Sequence, residues 1–385
     1  MRERRCWPTL SLLSTGLSHE RDPRTSHRHS GWLPRSDRLH RTSRATRILQ
    51  AANQILPFLE RGQPIAASDL RPIMTHAFDG SDAQGCWVWK DAYEACEAAQ
   101  VLFLRKFGPA ILARFQTDAL AMLAKVAHLV PTHTRRSDES QALQQLSTPM
   151  PLAYVVSRAA GMIAGDIVLE PSAGTGLLAI FAEIAQARLM LNDYAPVRQA
   201  LLSQLFPNAR TTRHDAAHID DYLDRSASPT VVLMNPPFSV GAHVEGRVSD
   251  AAWRHLASAF ARLAPGGRLV AITGSSLAPD NPKWRDAFVR LQERGHILFS
   301  AAIDGSVYVR HGTNVETRLI VLDKIPAQDP ARLIASRGTA PDLQSSSIGS
   351  RCCRRARRRR RRAPSARSPT ESCGPWRQRG GTQER

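Results

Sequence analysis

The run Asn235-Pro236-Pro237-Phe238 holds residue types suited to one kind of chemistry. Two prolines remove two backbone donors and fix a turn, which leaves carbonyl oxygens pointing outward. An amino group on a planar conjugated ring is a poor nucleophile, because its lone pair is spread into the ring. Acceptors from the Asn235 side chain and the Pro236 carbonyl would bond its two hydrogens and favour attack on a nearby methyl cation donor, with Phe238 stacked on the ring face. A structural turn with an aromatic plug is the alternative, and the four residues alone leave the two readings even.

A second run, Glu170-Pro171-Ser172-Ala173-Gly174-Thr175-Gly176, is built from small residues that let a backbone approach a ligand closely, and it leads into a helix whose first N–H groups are unpaired. The spacing is neither GxGxxG nor GxxxxGK[ST], so a dinucleotide fingerprint and a phosphate-cradling loop are unsupported. Asp193 lies about twenty residues downstream, where a carboxylate can accept both ribose hydroxyls. Asp215 ends the strand after that. Singly each acid reads as a cap or turn residue; together, at three successive strand ends, they outline a nucleoside pocket.

These residues need a scaffold, and the pattern supplies one. From about residue 147 short β-branched runs alternate with helical spacing, which indicates βαβ units and a mainly parallel, doubly wound sheet. Strands are expected at 167–170, 188–192, 209–214, 230–235, 268–273, 296–303 and 317–323, with helices at 150–163, 177–187, 195–205, 249–263 and 282–293. Residues 46–146 show helical periodicity broken at Gly62, Gly85, Gly108 and Pro131, and read as a small domain of about four helices without a site constellation. Trp87 and Trp89 read there as core or interface anchors.

The ordered set EPSAGTG at 170–176, ND at 192–193, HDA at 214–216 and NPPF at 235–238 resembles the class I S-adenosylmethionine-dependent methyltransferases of the amino-methylating type, chiefly N6-adenine DNA methyltransferases. Ser147-Thr148-Pro149 resembles that family's Thr-Pro element, and residues 312–317 (GTNVET) resemble the segment before the last antiparallel strand of type I restriction-modification methylase subunits. The helical segment, residues 141–176 and residues 301–324 further resemble the methylase-like N-terminal part of bacterial strawberry notch-type proteins. That family typically continues into a helicase, whereas this chain carries an Arg-rich tail there.

The resemblance implies a Rossmann-like, seven-stranded class I methyltransferase sheet over residues 147–326, preceded by the helical domain at 46–146. It implies S-adenosyl-L-methionine as cofactor, with Glu170, Ser172, Ala173, Gly174 and Gly176 in the cofactor loop, Thr148 at the methionine end, Asp193 on the ribose and Asp215 on the adenine amino group. Asn235, Pro236, Pro237 and Phe238 become the target-base site. The implied substrate is adenine in DNA, methylated at N6 on a base turned out of the duplex. RNA bases and protein glutamine pose the same conjugation problem and stay open, as does a non-catalytic module serving a helicase or specificity partner.

Charge is confined to the ends. Of the net charge of +18, residues 1–48 carry +7 and residues 351–385 carry +11, while the 302 residues between hold 28 basic and 28 acidic side chains. The basic character therefore belongs to the tails at 1–45 and 327–385, which read as disordered, and a neutral core weakens any strong affinity for a phosphate backbone. No apolar run nears the ~20 residues of a membrane span, and the expectation is a cytoplasmic protein with no membrane contact. Six cysteines without a CxxC spacing argue for reduced thiols and against structural zinc. His214 and His218 stand at i, i+4 without a third ligand spaced to join them, so no metal is expected.

Overall fold

The computed structural model describes residues 42–135, 146–224, 226–237, 251–341 and 343. Phe238, the stretch at 240–248 and both tails, beyond residue 343 at the C-terminal end, lie outside the described residues.

Four helices open the described chain: α1 (Arg44–Glu60), α2 (Ala67–Phe78), α3 (Trp89–Leu112) and α4 (Gln116–Ala127). Helix α1 starts where the Ser43 hydroxyl accepts the Thr46 N–H, and it buries Ile48, Ala51, Ala52, Ile55 and Leu59, an i, i+3, i+4, i+7 stripe. Trp87 is fully buried ahead of α3, as an anchor should be. Helix α3 is unusual in burying four charged side chains, Lys90, Asp91, Glu94 and Glu97, together with the amide of Gln100.

The sheet follows. Helix α5 (Met150–Ala160) leads to β1 (Ile167–Glu170), α6 (Ala179–Ile184), β2 (Arg188–Asn192), α7 (Pro196–Leu205), β3 (Arg210–Thr212), a 3-10 turn (Ala216–His218) with the short α8 (Ile219–Tyr222), and β4 (Val231–Met234). Then come α9 (Ala251–Arg262), β5 (Arg268–Gly274), α10 (Arg285–Gln292), β6 (His296–Ile303), a 3-10 segment (Gly305–His311), β7 (Thr317–Asp323) and β8 (Arg337–Ala340). The strand order is β3-β2-β1-β4-β5-β7-β6-β8. Strands β1 to β5 pair in parallel, and β7 runs antiparallel to both β5 and β6. The fold is a Rossmann-like, doubly wound α/β sheet.

Its strands are apolar on both faces because both are covered. Val231 and Leu233 of β4, Val270 and Ile272 of β5, and Leu319 and Val321 of β7 face one core, which they share with α1, α3, α5, α6 and α7. Their alternates Val232, Met234, Leu269, Ala271, Ile320 and Leu322 face a second core closed by α9 and α10. The helical segment thus packs onto α5, α6 and α7, the helices that cover one face of the sheet, and the described residues from Thr42 onward belong to one compact unit.

The sheet has eight strands where seven were expected. Strand β8 pairs in parallel with β6, beyond the expected boundary at 326, and is held by the Asp304 N–H donating to the Ala340 carbonyl at 3.0 Å and by Arg318 donating to the Ser336 hydroxyl at 2.7 Å. The stretch leading to it is polar and Pro-containing, so nothing in its periodicity marks a strand; its hydrogen bonds come from partners far away in sequence.

Candidate active site

The chain direction across the sheet reverses between β1 and β4, and a crevice opens at the carboxyl ends of strands where that happens. Strands β1 and β4 are neighbours, with Leu169 opposite Val232. The loop after Glu170 and the turn at Asn235 therefore emerge side by side.

Asn235 is held in one orientation. Its Nδ2 donates to the Leu146 carbonyl at 3.1 Å and to Thr148 Oγ1 at 3.0 Å. A carbonyl can only accept, so the amide nitrogen must face it and the amide oxygen must face away. That Oδ1 is buried and has no partner among the described residues. Thr148, expected at the cofactor's methionine end, is buried and here accepts from Asn235. Pro236 is buried and Pro237 half-buried beside it. Burial pushes the Tyr308 phenol up, partly opposed by its interaction with the Asn235 side chain, so a buried hydroxyl from the 3-10 segment borders the same amide.

The loop after β1 is tightly built. Gly174 and Gly176 take φ of +57° and +89°, which side-chain-bearing residues resist, and a Cβ on Gly176 would stand 2.4 Å from the Phe206 ring. Three of its N–H groups are already used: Ala173 donates to the Asn192 carbonyl at 2.9 Å, Gly174 to Asp193 Oδ2 at 2.8 Å and Gly176 to the Ala173 carbonyl at 2.8 Å. Asp193 Oδ1 accepts from the Ala195 N–H at 2.9 Å. Asp193 thus braces the loop, and burial raises its carboxyl above the ordinary range against the pull of Arg198. Glu170 lies deeper; burial first, and the Asp193 charge second, push it well up, and its Oε2 has no partner among the described residues. Asp215 is exposed and caps the following turn through Oδ1 on the Ala217 N–H at 2.9 Å.

Asn192 joins three strand ends: its Nδ2 donates to the Pro171 and His214 carbonyls, each at 2.9 Å, and its Oδ1 accepts the His214 N–H at 2.8 Å. Other members of this site are not evident in the sequence. Helix α3, read as carrying no site residues, delivers two acids. Glu97 accepts from the Thr175 hydroxyl at 2.7 Å, and Glu94 pairs with Lys90 at 2.7 Å and with Arg198 at 2.6 Å. Burial raises the Glu94 carboxyl, but the Arg198 and Lys90 charges outweigh it and hold it below the ordinary range. Beside Thr175, Glu97, His133 and His311 bring a carboxylate oxygen and two ring nitrogens within 4.8 Å of one another.

The arrangement fits the cofactor that the sequence implies. Two orphaned buried oxygens, Glu170 Oε2 and Asn235 Oδ1, await donors at the ends of adjacent strands. A Cβ on Gly174 would meet only Arg198 Nη1, at 3.8 Å, so the loop's outer side is open. Tyr194, 58% exposed after Asp193, offers an aromatic face at the rim.

No family model matches the chain. A curated relative, the ribosomal RNA small subunit methyltransferase C of Chromohalobacter salexigens, is 32% identical over 138 residues, which are 36% of this chain and 40% of that protein. The match thus spans less than half of that relative's length. Among solved structures, TrmN from Thermus thermophilus is 23% identical over 49% of this chain and 52% of its own, with a TM-score of 0.36. The type I restriction-modification methyltransferase subunit from Streptococcus thermophilus is 14% identical over 82% and 85%, with a TM-score of 0.44. No helix among the described residues is long and apolar enough to cross a membrane.

Proposed function

We propose that the chain is an S-adenosyl-L-methionine-dependent methyltransferase acting on an exocyclic amino nitrogen, with N6 of adenine in DNA as its substrate. The observation that carries this reading is the Asn235 amide, fixed through Nδ2, with a buried Oδ1 that has no hydrogen-bond partner among the described residues, at the end of the strand next to β1 and its glycine loop. An acceptor left unpaired costs about 1–3 kcal/mol, and an incoming N–H relieves that cost.

The cofactor would supply an electrophilic methyl group at a sulfonium centre. The residues of the chain hold the acceptor nitrogen: Asn235 Oδ1 and the Pro236 carbonyl take its two hydrogens, drawing its lone pair out of the ring and toward the methyl carbon. The methyl group would pass from the cofactor to that nitrogen, whose surplus proton would leave to solvent water while Asn235 and Pro236 keep the amino group in place. Glu170 and the Asp193-braced loop would seat the cofactor, with Asp215 at the rim toward its adenine. Phe238 would cover the target base, and a helicase or specificity partner belongs to the same proposal.

An RNA base is the second reading, favoured by the curated relative, whose name places its activity on ribosomal RNA. Both readings are tested with the full chain, labelled S-adenosylmethionine, and unmethylated DNA, RNA and cell protein as acceptors, beside Asn235→Ala. N6-methyladenine in DNA that falls by about 10²–10³ in the variant supports the proposal. Label confined to RNA or protein overturns the DNA assignment, and cofactor binding without transfer to any pool overturns the enzyme.

A further inference from the structure

Glu97, His133 and His311 come from three places that nothing local in the sequence connects: the middle of α3, the stretch after α4, and the end of the 3-10 segment before β7. The structure builds their meeting point with care. The His133 N–H donates to the Arg310 carbonyl at 2.9 Å, and Arg310 donates to the Val130 carbonyl at 2.5 Å. Gly312 turns with φ +73°, and a Cβ there would stand 2.5 Å from the His133 carbonyl oxygen. The His133 ring stacks on Tyr93 with centroids 4.1 Å apart, and the His311 ring lies 5.0 Å from that of His133.

What the three groups do not do is satisfy one another. His133 Nε2 stands 3.9 Å from Glu97 Oε1, too far for a hydrogen bond, and His311 Nδ1 is buried with no partner among the described residues. A neutral imidazole carries a lone pair on one ring nitrogen, which it can offer to a metal. Two neutral imidazoles and a carboxylate converging from different elements are a donor set for a divalent metal, whereas a purely structural polar cluster would pair its members. Two cations among the described residues oppose a bound metal here: Arg198, which is matched by Glu94 at 2.6 Å, and Arg310, whose guanidinium donates to the Val130 carbonyl at 2.5 Å.

We propose that Glu97, His133 and His311 form a binding site for a divalent first-row transition metal, with Zn²⁺ the best match to the N₂O donor set, that clamps the helical segment to the glycine loop and to the segment carrying Tyr308. Tetrahedral zinc with bonds of about 2.0–2.1 Å needs donor–donor edges of about 3.4 Å, so the ring nitrogens and carboxylate oxygen, now within 4.8 Å, close inward by side-chain rotation. A fourth position is left for water. Glu97 keeps its other oxygen on Thr175, so the ion is one carboxylate away from the loop between β1 and α6. The site does not depend on which substrate is methylated.

The test uses the full chain without a polyhistidine tag, stripped by chelator and titrated with Zn²⁺ and, separately, Co²⁺. One ion per chain is expected, with intense visible Co²⁺ bands of a four- or five-coordinate site. Affinity should fall by at least about 100-fold in His311→Asn and in Glu97→Gln, beyond the loss typical of an outer-shell partner, while the double variant His214→Ala/His218→Ala binds as the wild type does. Binding that survives His311→Asn, or that is lost in the His214/His218 variant, overturns the site, as does no binding at all. Histidine-ring NMR on the unmodified chain needs no variant: Zn²⁺ should shift the His133 and His311 rings, and shifts confined to other histidines overturn the proposal equally.

Discussion

The proposed site rests on single side chains, Asn235 and Glu170 among them. Asn235 is oriented by two acceptors, and Thr148 is the one that a substitution can remove. In Thr148→Val the amide keeps only the Leu146 carbonyl and gains freedom to turn; misplacement of a reacting group by about 1 Å costs on the order of 10²-fold, so methyl transfer should fall by about 10–100-fold. Thr148→Ser restores the hydroxyl and should recover most of the rate. Steady-state assays with separate cofactor-binding measurements distinguish this from a lost cofactor contact, which would appear chiefly in cofactor affinity.

Glu170 makes a different prediction. Its folded-state carboxyl is raised by burial and by Asp193, so the folded chain binds its proton more tightly than the unfolded chain does. The stability this confers is present in full below the unfolded value and is lost as pH rises through the folded one. Glu170→Gln removes a carboxyl that ionises at neutral pH when the chain unfolds. Its cofactor-free form should therefore melt higher than the wild type at pH 7 and above, with the difference vanishing near pH 4. Thermal melts of both proteins across that range check it, and equal differences at both ends would refute it.

Among the elements, Arg268 illustrates what a strand end can carry. It is 1% exposed on β5, grips Asp323 of β7 through two bonds of 2.7 and 2.9 Å, and reaches the Ala159 carbonyl of α5 at 3.1 Å. Arg268→Ala leaves the half-buried Asp323 carboxylate and the buried Ala159 carbonyl without their partner. Breaking a buried pair from one side costs about 3–5 kcal/mol, and chemical denaturation should show a loss of that order. The double change Arg268→Met/Asp323→Leu should recover much of it, because an apolar pair leaves no charge behind.

Elements also explain what the sequence reveals. Strands β1, β2, β4, β5, β6 and β7 are legible because a sheet covered on both faces needs continuous apolar runs, and the loops after β1 and β4 are legible because their residues are contiguous. Glu94, Glu97 and Arg198 are not. Their roles depend on partners far off in the chain, as with Thr175 and Glu97, which are 78 positions apart. The same holds for His133 and His311: local spacing draws attention to His214 and His218 instead. Strand β8 escaped notice because a short edge strand with polar neighbours has neither period to show.

At the scale of the molecule, the division into a helical segment and a sheet is one of sequence, not of packing. Ile48, Ala52 and Ile55 of α1, Leu104 of α3 and Ile180 and Phe181 of α6 belong to the same buried cluster as Val231 and Val270 of the sheet. Polar ties cross the same boundary: Arg105 grips Glu183 at 2.6 and 3.0 Å and the Leu205 carbonyl at 2.8 Å, and Glu94 meets Arg198. A separately folding unit has its own core and an interface with few crossing contacts, and neither condition holds here. Removing residues 42–135 would uncover the outer sides of α5, α6 and α7 and leave Arg198 buried in part without its carboxylate. Urea unfolding of the full chain should therefore show a single transition, with α3 fluorescence from Trp89 and sheet circular dichroism losing signal together. Two separated transitions, or a sheet fragment from residue 146 onward that melts cooperatively alone, would show instead that the acids of α3 are accessories to a site the sheet completes by itself.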